Sequence, residues 1–227
     1  MKFIFKNEKL SNYNWFNLGG PAKFFLKIQS PDELKKFLID NKKNNYNIHV
    51  LGAGSNTLFR DGGFDGAVIK LGSTFSYTKL LKEDEIEVGA ATLDRKVSDF
   101  ATTNSLSGFE FLSCIPGSIG GSITMNSGCY GEDISKIFIS LKAMNFNGEI
   151  KSFDKEEIEF FYRGNSMKDD LIILSAIFKG KISDKNQILE TQKKFINKKK
   201  ETQPTRVKTC GSTFKNPTNE KKAWELI

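Results

Sequence analysis

The sequence is poor in the residues that build disulfide frameworks and metal centres. It has three cysteines, Cys114, Cys129 and Cys210, and a single histidine, His49. An odd number of widely separated cysteines predicts reduced thiols rather than a set of disulfides. Their spacing fits no zinc site, so we expect no metal. A single histidine also argues against hydrolases in which histidine activates a nucleophile, and we expect His49 to be a packed strand residue.

Long apolar runs and arginine are scarce as well. The longest apolar run, Leu171 to Phe178, is too short to span a membrane, and no sustained apolar stretch follows the first lysine. We therefore expect a monomeric cytoplasmic protein with no membrane partner. The net charge is +7, but lysine supplies most of the positive charge. Because lysine lacks the planar fork that reads bases, we expect anionic small ligands rather than a nucleic-acid partner.

Hydrophobic residues make up 38% of the chain and aromatic residues 12%, as in a globular protein. Alternation and apolar runs predict strands over residues 22–28, 48–51, 67–71, 75–81, 86–88, 137–146, 150–153 and 171–178. A helix is predicted after Ser30, with Pro31 at its first position and Glu33 completing a capping box.

Three further helices are predicted later in the chain. We expect Thr92 to cap one helix, with Leu93 facing inward, and Ser183 to open another. Residues 198–204 are predicted to form a linker, followed by a last short helix near the end of the sequence.

Three polar loops are candidates for chemistry. The first, GAGSN (residues 52–56), follows a strand, and its backbone N–H groups can cradle a pyrophosphate or simply form a tight turn. It is not a Rossmann fingerprint, because Thr57 stands where that motif needs glycine, and it lacks a P-loop lysine. The second, IPGSIGG (residues 115–121), suits either a flat cofactor or a close helix–sheet crossing. The third, GSTFKNP (residues 211–217), is either a ligand-binding segment or an ordinary turn.

These loops stand in a fixed order with two other motifs. The five are NWFNLGGPA (14–22), GAGSN (52–56), IPGSIGG (115–121), YRGNS (162–166) and GSTFKNP (211–217). In this order they resemble the UDP-N-acetylenolpyruvoylglucosamine reductase family, also called UDP-N-acetylmuramate dehydrogenase. The resemblance is to the family's shorter form and runs from residue 14 to the last residue, without the family's C-terminal segment.

The resemblance implies an α+β architecture with a PCMH-type, vanillyl-alcohol-oxidase-like FAD-binding fold. The FAD-binding domain would cover residues 14–181, in subdomains of about 14–72 and 73–181. Residues 182–227 would begin a substrate-binding domain that is truncated.

The resemblance also implies the reaction and its residues. NADPH would reduce non-covalently bound FAD, which would then reduce the enolpyruvyl group of UDP-N-acetylglucosamine enolpyruvate. The implied catalytic residues are Arg163, which stabilises the developing enolate, and Ser212, which donates a proton. Tyr162, Lys215 and Asn216 would bind the substrate. The implied FAD-binding residues are Gly52, Gly54, Ser55, Asn56, Pro116, Gly117, Ser118, Gly120 and Gly121.

Several positions depart from the family pattern. Asn17 stands where the family commonly has arginine, and Ser127 and Cys129 replace alanines. No residue matches the family's late catalytic glutamate, and Cys210 is a rival to Ser212 as proton donor. A flavin-binding remnant without catalytic activity therefore stays open as an alternative, and a different oxidase of the same fold is a weaker one because GSTFKNP matches the reductase pattern.

Overall fold

A computed structural model describes residues 4–203, 214–217, 221 and 223–226 of the chain, which folds around two β-sheets. The first sheet has the strand order β1-β2-β4-β3. Its strands are β1 (Ile4–Lys9), β2 (Pro21–Ile28), β3 (Asn47–Val50) and β4 (Phe64–Leu71). β1 pairs antiparallel with β2, while β4 runs parallel to both β2 and β3. The parallel pairs place the loop after β3 at one end of this sheet.

The crossover between β2 and β3 is helix α1 (Pro31–Asn44). The Ser30 hydroxyl caps it by accepting a hydrogen bond from the N–H of Glu33 at 3.2 Å. The Glu33 carboxylate accepts from the N–H of Gln29 at 2.8 Å, one residue before the cap, so only half of the predicted capping box forms. The helix ends at Asn45, which is left-handed with φ of 50°.

The second sheet is antiparallel, with the order β11-β10-β14-β6-β5. Its strands are β5 (Thr78–Leu80), β6 (Glu85–Gly89), β10 (Phe138–Asn145), β11 (Ile150–Asp154) and β14 (Leu171–Lys179). The strand predicted over residues 75–81 begins only at Thr78, because Ser73–Phe75 forms a 3₁₀ turn that buries Phe75.

Short strand pairs and helices complete the fold around the second sheet. The pairs are β7 (Leu106–Ser107) with β15 (Lys181–Ile182), β8 (Gly128–Cys129) with β9 (Glu132–Asp133), and β12 (Phe160–Phe161) with β13 (Gly164–Asn165). The helices are α2 (Asp94–Thr103), α3 (Ile119–Thr124), α4 (Ile134–Ile137), α5 (Lys185–Thr202) and α6 (Ala223–Leu226).

A shared apolar core joins the two sheets through α1. Leu34 and Leu38 of α1 are buried, and they belong to one cluster with Ile69 of the first sheet and with Met144 and Ile172 of the second. Fully burying a leucine side chain stabilises a fold by roughly 1.5–3 kcal/mol, so this contact fixes how the sheets meet. The sheets span residues 4–71 and 78–179, and the subdomain and substrate-domain boundaries stay predictions.

Two helix starts differ from the sequence predictions. Thr92 is not a cap, since its hydroxyl donates to the carbonyl of Tyr77 at 2.9 Å. Leu93 is the N-cap residue of α2 and is 45% exposed instead of facing inward. At α5 the cap is Asp184 rather than Ser183, because its carboxylate accepts from two N–H groups of the first turn.

The linker predicted over residues 198–204 is wrong, because α5 continues through Thr202. Lysine is a good helix former, and tertiary contacts hold this end of the helix. Lys199 donates from Nζ to the carbonyl of Cys114 at 2.7 Å. Further back, Gln192 donates to the hydroxyls of Ser98 and Thr102 on α2 at 2.7 and 2.9 Å. The helix is therefore docked along its length.

Candidate active site

The first glycine loop follows β3 and is held from two sides. The carbonyl of Gly54 accepts from the N–H of Trp15 at 3.0 Å, and the carbonyl of Gly52 accepts from Nζ of Lys70 at 2.6 Å. Gly54 has φ of 72°, and a Cβ there would lie 2.2 Å from the carbonyl oxygen of Tyr13. Only glycine fits this position without strain.

The same loop leaves a run of backbone donors available. Within the described part of the chain, no acceptor is hydrogen-bonded to the N–H groups of residues 52–56. Residues 52–55 are buried or half-buried and Asn56 is exposed. Consecutive N–H groups without a protein acceptor can bind an anionic ligand. This observation fits the pyrophosphate of FAD, which the sequence resemblance assigned to this loop.

The second glycine loop is fastened to the segment that precedes α2. The N–H of Ile119 donates to the carbonyl of Thr92 at 3.0 Å, and the N–H of Gly120 donates to that of Ala90 at 2.9 Å. A Cβ on Gly120 would lie 3.2 Å from the Cβ of Ala90, so this glycine serves close packing. Gly121 is exposed, and its added Cβ would meet only Ser118 Oγ at 3.9 Å. The close-packing interpretation of this loop therefore holds at Gly120, and cofactor binding at the exposed Gly121 stays a prediction.

The two glycine loops meet face to face. A Cβ added to Gly52 would lie 2.5 Å from Oγ of Ser118, so the loops approach as closely as glycine allows. This approach joins the first loop, with Gly52, Gly54, Ser55 and Asn56, to the second loop, with Pro116, Gly117, Ser118, Gly120 and Gly121. Backbone with few side chains can lie close to a dinucleotide, so binding of FAD by these residues stays a prediction.

A buried carboxyl, Asp94, supports the second loop and was missed by the sequence analysis. Its Oδ2 accepts from the Ser122 hydroxyl at 2.6 Å, and the N–H of Gly117 also donates to the carboxyl. Its Oδ1 is buried with no hydrogen-bond partner among the described residues. Burial raises the pKa of Asp94 to about 7, against the opposing effect of both hydrogen bonds. The available signal was an acid on the same face of α2 as Val97 and Ala101.

Arg163 lies at the tip of a two-residue turn between β12 and β13. Its backbone is left-handed with φ of 59°, a conformation that costs a non-glycine residue about 1–3 kcal/mol. Its Nη2 donates to the carbonyl of Gly128 at 2.9 Å, and the guanidinium carbon lies 5.3 Å from the ring centroid of Tyr162. The half-buried guanidinium is therefore oriented while other N–H groups remain for a ligand.

The Arg163 hairpin is tied to the end of α3. Asn165 donates from Nδ2 to the carbonyl of Ile123 at 2.9 Å, and Asn126 donates to that of Phe161 at 3.2 Å. Asn126 is itself left-handed, with φ of 39°. These bonds place Arg163 at a fixed distance from the second glycine loop, which α3 continues.

The third loop reaches the same hairpin. The N–H of Asn216 donates to the hydroxyl of Tyr162 at 3.4 Å, and the Asn216 side chain accepts from the N–H of Ala223 at 3.1 Å. Lys215 and Asn216 are exposed. Tyr162, Arg163, Lys215 and Asn216 are thus neighbours, whereas Ser212 and its rival Cys210 lie outside the described residues.

His49 is packed, as expected. Its ring makes an edge contact with Phe59 at a centroid distance of 5.5 Å, and burial lowers its pKa. Among the described residues, no cluster of three or more His, Cys, Asp or Glu side chains could hold a metal ion. None of the helices in the described part of the chain is long and apolar enough to cross a membrane.

Comparison with known proteins agrees with this geometry. The model of the FAD binding domain family matches residues 22–154. UDP-N-acetylenolpyruvoylglucosamine reductase of Pelagibacter ubique is 46% identical over 222 residues, covering 96% of this chain and 72% of the relative. The Rickettsia typhi protein of that name is 43% identical, covering 99% of this chain and 77% of the relative.

Of two similar solved structures, one supports the family and the other supports only the fold. The crystal structure of UDP-N-acetylenolpyruvylglucosamine reductase from Thermus caldophilus superposes with a TM-score of 0.86 at 29% identity, covering 99% of this chain and 79% of that one. Phl p 4, a glucose dehydrogenase, superposes with a TM-score of 0.60 at 10% identity over 81% of this chain and 42% of that one. The second likeness shows the fold alone. Together with the FAD binding domain match and the reductase structure, it confirms the predicted FAD-binding fold.

Proposed function

We propose specific roles in cofactor binding, substrate binding and proton transfer for residues of this chain, which belongs to the UDP-N-acetylenolpyruvoylglucosamine reductase family. The protein is an FAD-dependent oxidoreductase that acts on the enolpyruvyl group of a nucleotide-sugar in peptidoglycan precursor synthesis. The finer assignments below, of residues to cofactor, substrate and proton transfer, are the proposal. The observation that carries it is the convergence of both glycine loops, the Arg163 turn and the Asn216 segment.

The two glycine loops hold FAD in this proposal. Bound FAD would supply two-electron redox chemistry between NADPH and the substrate double bond. The free N–H groups of residues 52–56 bind the pyrophosphate. Residues 116–121 would hold the flavin end, and Asp94 keeps Gly117 and Ser122 of this segment in place. The unpartnered donors and the contact between Gly52 and Ser118 support this assignment.

Arg163 stabilises the substrate's carboxylate as negative charge develops beside it. One amino group of the guanidinium is held by the Gly128 carbonyl, so the fork is oriented before substrate arrives. Donors aimed in advance at developing charge are worth more than mobile ones, because no reorganisation is needed during the reaction. The strained backbone of Arg163 supports this role, since such conformations concentrate at functional sites.

Ser212 donates the proton that completes reduction, by analogy with the family pattern. A hydroxyl is a sufficient acid here because the carbanion it meets is a very strong base. Tyr162, Lys215 and Asn216 bind the sugar and diphosphate end of the substrate. The hydrogen bond from Asn216 to Tyr162 supports the last assignment by joining two of these residues.

The proposed partners are the nucleotide-sugar and NADPH, met by a monomer in the cytoplasm. Both ligands are anions, which suits a chain with a net charge of +7. The thiols of Cys114 and Cys129 are free, as expected for a reducing compartment.

Arg163→Lys in the full-length protein tests the proposal. Lysine keeps the charge but loses the fork, so we expect flavin reduction by NADPH within a few-fold of the parent and substrate reduction slower by about 10²–10³. Rapid mixing measures the two half-reactions separately. Arg95→Lys, on the exposed side of α2, is the matched control and should change neither. Equal loss in both half-reactions would show that Arg163 acts on flavin placement or folding instead.

A further inference from the structure

Two cysteines that are distant in sequence become neighbours in the fold. Cys114 ends the 3₁₀ helix Glu110–Cys114, and Cys129 lies on β8, which packs against that helix. The two thiols are close enough for each to shift the pKa of the other. Sγ of Cys129 also lies 3.6 Å from the carbonyl oxygen of Phe111, on the same helix as Cys114. The wide separation of these cysteines in the sequence therefore does not persist in the fold.

The surroundings make the two thiols unequal. The neighbouring Cys129 thiol lowers the pKa of the Cys114 thiol, helped by Ser113 and the charge of Lys199, and burial only partly opposes this shift. The neighbouring Cys114 thiol and burial raise the pKa of Cys129. Ser113 Oγ lies 3.7 Å from the Cys114 sulfur, and Lys199 is anchored on the Cys114 carbonyl at 2.7 Å. A thiolate beside a protonated thiol is the arrangement of an attacking and a resolving cysteine.

We propose that Cys114 and Cys129 form a reversible, peroxide-sensitive dithiol that closes into a disulfide next to the active site. The pair has no part in the reductase function, and its chemistry does not depend on that function. Cys114 is only 7% exposed, so a small oxidant such as hydrogen peroxide reaches it more easily than a bulky one such as glutathione disulfide. Disulfides of this reversible kind are those found in reducing compartments.

The oxidation balances with peroxide as the only co-reactant. The Cys114 thiolate attacks one peroxide oxygen, the O–O bond breaks, and hydroxide leaves and takes a proton to become water. The sulfur of Cys129 then attacks the resulting sulfenic acid, the S–S bond forms, and the S–O bond breaks. The leaving hydroxide takes the Cys129 proton as a second water. Two thiols are oxidised by two electrons while one peroxide is reduced to two waters.

Formation of the disulfide would affect two segments of the proposed site. Cys114 directly precedes Ile115 and the second glycine loop, and Cys129 directly follows Gly128, whose carbonyl orients Arg163. Drawing the two neighbouring sulfurs into a covalent bond moves one or both of these segments. This consequence, unlike the disulfide itself, rests on the role proposed for Arg163.

The test maps the cysteines of the FAD-loaded, full-length protein after brief treatment with dilute hydrogen peroxide. Tryptic cleavage after Lys96 and Lys136 leaves both cysteines in one peptide, residues 97–136. We expect this peptide to become lighter by two hydrogens and to resist alkylation until dithiothreitol is added. A peptide that takes up two alkyl groups with or without peroxide would overturn the proposal, and so would a bridge from either cysteine to Cys210.

A second variant tests the order of attack. In Cys129→Ala the resolving thiol is absent, so we expect a sulfenic-acid probe to accumulate on Cys114 at least several-fold more than in the parent. In Cys114→Ala we expect no such labelling of Cys129. Labelling of Cys129 but not of Cys114 would contradict the proposed roles. Because every readout is a peptide mass, these results are independent of reductase activity.

Discussion

Replacing the buried carboxyl under the second glycine loop should change how stability depends on pH. Asp94 has a native-state pKa of about 7 against an ordinary value of 3.8, because burial disfavours its charged form. Between those values the native state keeps a proton that the unfolded state has lost. Stability therefore falls as pH rises through this window and is level above it. Asp94→Asn removes the titration but keeps an oxygen that can accept from Ser122.

The size of the effect follows from the difference between 7 and 3.8. At about 1.4 kcal/mol per pKa unit, the whole window corresponds to roughly 4 kcal/mol, of which roughly 2 kcal/mol falls between pH 5 and pH 7. The amide also buries an N–H₂ group where Oδ1 has no partner, which costs about 1–3 kcal/mol at every pH. Only the pH-dependent part of the difference in unfolding free energy between Asp94→Asn and the parent therefore tests the raised pKa of Asp94.

The assay is thermal unfolding with FAD in constant excess, at pH values from 5 to 8, for parent and variant. For a chain of this size, about 2 kcal/mol corresponds to roughly 4–8 °C in Tm. We therefore expect the Tm of the variant, relative to that of the parent, to rise by this amount from pH 5 to pH 7. Asp99→Asn is the matched control, because Asp99 is exposed on the same helix. A difference between Asp94→Asn and the parent that stays constant with pH would refute the raised pKa.

Three other outcomes are expected. Purified protein should be yellow and release intact FAD on denaturation, and colourless protein that cannot be reconstituted with FAD would contradict the site. Gly54→Ala should weaken FAD binding at least about 5–30-fold, from roughly 1–2 kcal/mol of left-handed strain, whereas Gly62→Ala, whose added Cβ meets nothing within 4 Å, should bind FAD normally. In reoxidation of reduced flavin by substrate, Ser212→Ala should lose about 10²–10⁴ in rate and Cys210→Ala only a few-fold. The reverse pattern would make Cys210 the proton donor.

Much of the fold could be predicted because its signals are local. The strand at Pro21–Ile28, the cap at Ser30 and the long strands of the second sheet follow from apolar runs and turn residues, which depend on nearest neighbours. The positions of the glycine loops could also be found, since glycine is required wherever backbone passes as closely as Gly54 passes Tyr13.

Other features depended on contacts between distant segments, and sequence patterns alone could not predict them. Leu93 is an apolar residue at an exposed cap, because Thr92 bonds to Tyr77 and sets the start of the helix. The end of α5 stays helical because Lys199 donates a hydrogen bond to the Cys114 carbonyl. In each case the free energy of a tertiary hydrogen bond exceeded the conformational preference of the local sequence.

The sequence by itself determined the family, the order of the motifs and the types of residue available for chemistry. Only the tertiary structure decided which of them meet. It brought Gly52 against Ser118, oriented Arg163 on the Gly128 carbonyl, and buried Asp94 completely. The physical reason is that burial, hydrogen-bond partners and pKa values belong to the packed environment of a side chain, which segments far apart in the sequence build together.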